Sequence, residues 1–467
     1  MNTKVSHPPS DLTRPDFAKN LTLVQAIGRF ACETKFQDIP AEVIEKIRIC
    51  LFFNMAIALA GYSQVREIAN AVSDFPLEKG TGSRVFVDGT WLAPGDAAFA
   101  NAAMVHARAQ DDFQHSANVH VGAISVPALL ALSDWRGYDG KKFLTGLAVA
   151  YQVATILGEE NTAITTPRGF RASALYAAPA AAAACANFSG ADFETATNAV
   201  SIAAHWSAGL NQAWVSGTNE WRLHIGQASR NSISALLQAE AGFQSSKTVF
   251  EGKYGFFPAH GVASPDVDKM IGKLFGPWLA DTVAFKPLPV CGINQGPARN
   301  AMKVARSGAV DPARIVSYRI FLPPEDVAYP GIADTGAINS VGSALMRSSF
   351  VTAICLSTGN LRYRNLDQRD PAHVELAERG TVEIAALDPM CHRLEITLDD
   401  GSIQEFPYEY QGTEFILDRA HIKALFTEIA DELALPTSRL DEIEKVIWSL
   451  DSDASPTGLV DAMTRPV

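Results

Sequence analysis

What this chain of 467 residues lacks narrows its function first. It has no Lys/Arg-rich block, and 39 basic against 51 acidic residues leave a net charge of −12. Phosphate neutralisation needs a basic surface, so nucleic acid is not an expected partner. The six cysteines (Cys32, Cys50, Cys185, Cys291, Cys355, Cys391) are scattered, with no C-x-x-C pair and no His at zinc-ligand spacing. That argues against a disulfide framework, a structural zinc site or an iron–sulfur cluster, and a reducing cytoplasm is the expected location. No hydrophobic run is long enough for a bilayer, which demands ~20 apolar residues. The longest candidate, Leu144 to Gly158, is broken by Tyr151, Gln152 and Thr155, so no membrane partner is expected. The opening MNTKVSHPPSDLTRPDF has no apolar core and reads as a flexible arm that is not removed. Also missing are a P-loop, a G-x-G-x-x-G after a strand, G-x-S-x-G and H-E-x-x-H. Nucleotide, serine-hydrolase and zincin readings therefore have no support, and no cofactor or metal is expected.

What is present is an ordinary globular composition, 47% apolar and 19% charged, in a chain long enough for two or three domains. From Leu21 to Gly242 the apolar spacing is helical and Ala is dense. A helix is expected after Pro40 with Gly61 as its stop, and others at 93–108, 123–134, 140–158, 171–187, 192–209, 222–242 and 245–250. The run AAPAAAAACA at 177–186 is small-residue helix packing. The texture then changes. RIVSYRIFLP, TVEIAAL and HRLEITLDDGSIQEFPY read as strands, with Asp400-Gly401 as a hairpin turn, and helices are expected at 296–306, 338–357 and 373–379. Two amphipathic helices follow in DRAHIKALFTEIADELAL and TSRLDEIEKVIWSL. The expected architecture is mainly α: a discontinuous all-α domain (1–268 and 406–467) with a smaller α+β lid (269–405), and a ligand cleft between them.

Four polar clusters interrupt these apolar surroundings. HARAQDDFQHSANVHVGA brings His106, Asp111, Asp112, His115 and His120 ahead of an apolar helix, a loop suited to presenting acids and bases or equally to lying solvated with capping aspartates. Its spacing matches no standard metal-ligand pattern. TTPRGFRAS holds Arg168 and Arg171 before the Ala-rich helix, where guanidinium groups and a helix dipole suit a carboxylate. SGTNEWRLHIGQASRN puts Trp221, Arg222 and His224 at a helix start, and FKPLPVCGINQG carries Lys286 and Cys291 on a Pro-stiffened loop. Surface arginines, an ordinary amphipathic helix start and a solvent-exposed lysine are the alternative readings of these three.

These clusters, in this order, resemble the MmgE/PrpD family, which includes 2-methylcitrate dehydratases, cis-aconitate decarboxylase and iminodisuccinate epimerase. In register are ALAG at 58–61, DD…HVGA at 111–123, RGF at 168–170, RLHIGQAS at 222–229, EAGF at 240–243, FEGKYGFF at 250–257, KPLPVC at 286–291 and LDDG at 398–401. The resemblance spans nearly the whole chain. It implies a homodimer, a helical domain with an α+β lid, and cofactor-free chemistry on small polycarboxylic acids.

The match is partial at the site. The family's Asp-x-Asp-Asp-Thr stretch stands here as Ala109-Gln110-Asp111-Asp112-Phe113, the His after Gly-Phe as Arg171, the Lys before Arg-Leu-His as Trp221, and a lid-helix Tyr as Phe350. His120, Asp112, Arg222, His224, Lys286 and Cys291 persist. Loss of these proton donors and acceptors counts against standard dehydration or decarboxylation. Arg171 adds a permanent cation, which suits a further carboxylate. The expected function is therefore cofactor-free epimerisation of an amino-polycarboxylic acid, with iminodisuccinate epimerase the nearest named member. Lys286 and His120 are the expected proton-transfer pair on opposite faces, with His115 and Cys291 as substitutes and Asp112 beside them. Arg168, Arg171 and Arg222 would clamp carboxylates, with His224 and Trp221 lining the pocket. The alternatives are a hydro-lyase or decarboxylase of a citrate-like acid, elimination to fumarate and aspartate, and a non-catalytic polycarboxylate binder.

Overall fold

Several helix starts in this chain are set by short polar side chains. Asp139, Asp192 and Asp418 each accept a backbone N–H of the turn they precede, opening Gly140–Gly158, Phe193–His205 and Arg419–Leu433. A computed structural model describes residues 15–72, 76–452 and 454–464, so most of the expected N-terminal arm lies outside the described residues. The fold is mainly α, and no helix among those residues is long and apolar enough to cross a membrane.

The larger core is built from helices Leu23–Glu33, Ala41–Val72, Pro94–His106, Val121–Arg136, Gly140–Gly158, Ala172–Ser189 and Trp221–Glu240. The Ala run sits fully buried within Ala172–Ser189, which packs along Gly140–Gly158. Its small side chains bring the two backbones close. Ile422, Phe426, Ile429, Leu440, Ile443 and Leu459 from the C-terminal helices belong to this same core. So do Met270, Ile271, Leu274, Val283 and Phe285. The start of the segment assigned to the lid from its texture thus packs with the helices, because its apolar residues face that core.

A second core gathers Ala109, Ala213, Trp214 and Trp221 with apolar residues from Val290 to Leu398. It covers one face of a four-stranded sheet in the order Gly380–Ile384, Ile315–Leu322, His392–Leu398, Ile403–Tyr408. The first neighbours pair in parallel and the other two pairs antiparallel, the last through the expected Asp399-Asp400-Gly401 turn. Helices Gln295–Ser307 and Ser348–Thr358 pack against the sheet.

Three local expectations are corrected. Residues 245–250 form turns, and 338–357 is two helices, Val341–Met346 and Ser348–Thr358, meeting at Arg347, whose backbone is extended. Gly61 does not end its helix, which runs on to Val72 with a kink at Val65. It is instead a point of close approach: a Cβ there would lie 2.1 Å from the Met104 carbonyl oxygen and 3.0 Å from the Ala107 Cβ. Gly61→Ala is expected to destabilise the protein by about 1–3 kcal/mol despite better helix propensity, because the obstructing atom is backbone. Calorimetry should record a lower Tm than wild type, and an unchanged or higher Tm would refute the packing role.

Candidate active site

The residues between helices Pro94–His106 and Val121–Arg136 are pinned by a two-residue antiparallel ladder, Phe113 against Ala284 and Gln114 against Val283. Continuing that register puts Asp111 opposite Lys286 across 175 residues of sequence. Gln114 Nε2 fixes the ladder further by donating to Thr155 Oγ1 and Thr282 Oγ1, and Gln110 Nε2 donates to the Pro287 carbonyl. The consequence is a buried charge cluster. Lys286 Nζ lies 3.4 Å from Asp111 Oδ1 and 3.4 Å from His120 Nδ1, while His106 Nδ1 lies 2.9 Å from Asp111 Oδ1 and His120 Nδ1 3.0 Å from Asp111 Oδ2.

Burial dominates the protonation of this cluster. It holds His106 well below its ordinary value, as do Arg171 and His120 beside it. His106 is thus neutral, with its Nδ1–H donated to Asp111, which leaves Nε2 to accept from Arg171 Nη2 at 2.5 Å. Burial would raise Asp111, but His106, His120 and Lys286 outweigh it and keep the carboxylate ionised. Lys286, 1% exposed, is lowered chiefly by burial, with Asp111 opposing. His120 is lowered in the same way. Its Nδ1 also faces the Asp112 carbonyl oxygen at 3.0 Å, so Nε2 is the nitrogen left for a ligand.

His106, His120 and Lys286 of the cluster line a cavity of about 560 Å³ that both cores border, within the ~300–1,000 Å³ usual for small-molecule sites. Arg171 is its principal cation besides Lys286. It is the N-cap residue of Ala172–Ser189, and burial pulls it down to about 10. Both its acceptors, His106 Nε2 and the Trp221 carbonyl, are neutral, so its charge meets no contacting carboxylate among the described residues. Among the described residues, three of the six non-glycine residues with positive φ, Ala109, Asn118 and Met390, lie on the cavity wall. Backbone strain gathers where function needs a fixed shape.

Several expected site residues stand elsewhere. Arg168 is exposed and donates to the Ile164 carbonyl. Arg222 is buried but committed to the Ala107 carbonyl and the Tyr363 hydroxyl, outside the cavity. Trp221 is wholly buried behind Arg171, and His224 lies off the cavity wall, lowered to about 4 by burial and by Arg171. The three-arginine clamp reduces to Arg171, because the other two guanidiniums are spent on backbone carbonyls. Lys286 and His120 share one wall 3.4 Å apart, so they do not face each other across a substrate carbon. Cys291 and His115 both line the cavity; burial pushes the Cys291 thiol up to about 12, and His115 is exposed at the mouth. Phe350 is buried in the lid core, whereas Tyr329, not singled out in the sequence, reaches the cavity near Arg171 and Cys291. Only its position in PEDVAYPG, between a Pro pair and a Gly, marked it as a loop residue.

His106, Asp111 and His120 offer ligand atoms within 4.8 Å of one another, enough for a metal ion. An ion there would displace Arg171 from His106 and meet Lys286 beside Asp111. With the Arg171 guanidinium on His106 and the Lys286 amine on Asp111, these donor atoms are better suited to proton transfer than to metal binding.

Asp112 turns away from the cavity. Its carboxylate accepts from Gly122 N at 3.2 Å and from the Tyr151 hydroxyl, and burial raises it to about 6. The native state therefore holds a proton on Asp112 that the unfolded chain releases near pH 4. Stability from this group is present below that pH and is lost as pH rises through about 6. Asp112→Asn removes the dependence. The stability difference between variant and wild type should move in the variant's favour by on the order of 2–3 kcal/mol between pH 4 and 7. Denaturant melts across that range check it, and a constant difference would contradict the raised value.

Residues 25–265 match the family model for the MmgE/PrpD N-terminal domain. A cis-aconitate decarboxylase of Aspergillus terreus is 26% identical over 478 residues, covering 94% of this chain and 96% of that protein. Another from Aspergillus terreus is 28% identical over 290 residues, 58% of each chain. A cis-aconitate decarboxylase-like protein of Aspergillus oryzae is 29% identical over 257 residues, 53% of this chain and 52% of that one. With more than half of its length matched by the family model, this chain belongs to the MmgE/PrpD family.

Proposed function

We propose that the protein moves a proton at the carbon beside a carboxylate of a small polycarboxylic acid, and that the reaction is epimerisation of an amino-polycarboxylic acid such as iminodisuccinate. The observation that carries this reading is the convergence of Lys286, His120 and Asp111 beside Arg171 at the cavity wall. Arg171 holds the substrate carboxylate and stabilises the charge that develops on it as the α-proton leaves. Lys286, biased toward its neutral form by burial, takes that proton, and His120 Nε2 is the second acceptor on the same wall.

Inversion needs a donor on the other face. Cys291 and Tyr329 belong to the lid side of the cavity, and burial keeps both protonated at neutral pH. Either returns a proton opposite Lys286. Glu325 and Asp326 favour an amino acid over a citrate-like one: these lid carboxylates line the cavity, and a substrate ammonium gives them a partner that citrate lacks. A second reading, decarboxylation or water elimination, is favoured by the names of the relatives and uses the same base and the same Arg171.

Incubation with iminodisuccinate in D₂O should replace the α-hydrogen with deuterium and interconvert the stereoisomers, read by NMR. Lys286→Ala should slow exchange by roughly 10²–10⁴-fold. Arg171→Ala should raise KM at least tenfold, while Arg168→Ala leaves it within twofold. CO₂ release from cis-aconitate without exchange on iminodisuccinate would transfer the assignment to the second reading.

A further inference from the structure

His106, His120, Lys286 and Arg171 line the cavity as one connected cluster, and a further polar group lines it outside their hydrogen bonds. His392 opens the strand His392–Leu398 on the lid, lines the cavity and is 2% exposed. Its ring stacks on Tyr408 with centroids 4.5 Å apart and planes 21° apart. Neither ring nitrogen has a hydrogen-bond partner among the described residues; the Met390 backbone is near but falls short of bonding geometry. A buried imidazole left without partners costs free energy that a purely structural side chain would not carry.

Cys391 precedes it on the cavity wall. Leu322, Pro297 and Met390 also line the cavity, and Gly296 sits over the ring edge without a side chain. A Cβ at Gly296 would lie 3.0 Å from His392 Cε1 and 3.1 Å from Nδ1, so glycine is what leaves that edge uncovered. Met390, two residues earlier, holds a φ of 64°, which turns the chain into the cavity wall just before the histidine.

We infer that His392 anchors a second subsite at the lid end of the cavity, where it hydrogen-bonds the distal carboxylate of a substrate whose proximal carboxylate is held by Arg171. The proposal rests on the polycarboxylate reading above and narrows it to acids with two carboxylate-bearing arms. Burial lowers His392 to about 3, so at neutral pH it offers one N–H donor and adds no charge. The subsite therefore selects by reach and hydrogen bonding, and the cationic end selects by charge. No part of it belongs to the proton-transfer machinery. A short dicarboxylate fills the Arg171 end alone.

Isothermal titration with iminodisuccinate and with succinate tests this by binding, independently of turnover. Wild type should bind iminodisuccinate at least tenfold more tightly than succinate. His392→Phe keeps the stacked ring and removes both nitrogens. It should weaken iminodisuccinate about tenfold or more and leave succinate within twofold. His392→Gln, which restores a donor, should recover most of the loss. Gly296→Ala, which covers the ring edge, should reproduce the selective loss. Equal loss for both ligands, no loss for either, or no preference in wild type would each overturn the subsite. Selective binding without deuterium exchange would instead leave the subsite standing and remove the epimerase assignment.

Discussion

Everything in the cavity is arranged around one ionised carboxylate with no water to solvate it. Asp111 is fully buried, and such a charge persists only where its lone pairs are answered by donors. Three groups surround it, from three separate stretches of chain: His106 at the end of one helix and Lys286 across the short ladder bond its Oδ1, and His120 at the start of the next helix sets Nδ1 3.0 Å from Oδ2. Each is thereby held in one orientation. The electrostatic need of Asp111 is thus what assembles the proton-transfer groups, and the ladder at Phe113 and Gln114 supplies the register that makes the assembly possible.

The same carboxylate reaches Arg171 at second hand. Because Asp111 takes the Nδ1 proton of His106, the other ring nitrogen is left as an acceptor, and Arg171 donates to it. The guanidinium is steered by a neutral ring, 5.0 Å from the ring of Trp214, with no contacting carboxylate to cancel it. A chain of net charge −12 therefore presents an unneutralised cation at the bottom of a cleft. The low dielectric around it strengthens its hold on a small acid, while the acidic exterior repels large polyanions.

Helical texture, the strands of the α+β part and the Asp400-Gly401 hairpin were legible because each rests on local periodicity or turn chemistry. Roles within the site were legible only where spacing sufficed. The loop from His106 to His120 stood out by polar density, yet the choice between Asp111 and Asp112 depends on which neighbour the ladder turns toward Lys286. That is set by a pairing 171 residues away in sequence at Phe113 and Ala284. Arg168, Arg171 and Arg222 look alike in sequence. Their separation follows from backbone carbonyls: Ile164 takes one and Ala107 another, and only Arg171 is left with acceptors that do not remove it from the cavity. Tyr329 and His392 went unseen because each reaches the cavity through lid topology. The Gly61 reading failed for a related reason, since a glycine that admits a neighbouring carbonyl is indistinguishable in sequence from one that stops a helix.

The division of the cavity between two cores bears on why one family supports different reactions. Epimerisation, decarboxylation and water elimination share an opening demand, stabilisation of negative charge on a carbon next to a carboxylate, and the helical wall meets it with Arg171, Lys286 and His120. What happens next depends on what the opposite face of that carbon meets. A protonated phenol or thiol there returns a proton and yields an inverted centre; an apolar or empty face lets a leaving group depart. In the proposed reaction that face is met by Tyr329 and Cys291, which line the cavity and pack against the second core. Substrate scope follows the same division. The cationic end is tied to buried charge and resists change, while Asp326, Met390 and His392 lie on lid segments outside that network. Substitution there alters which acid fits without dismantling the base.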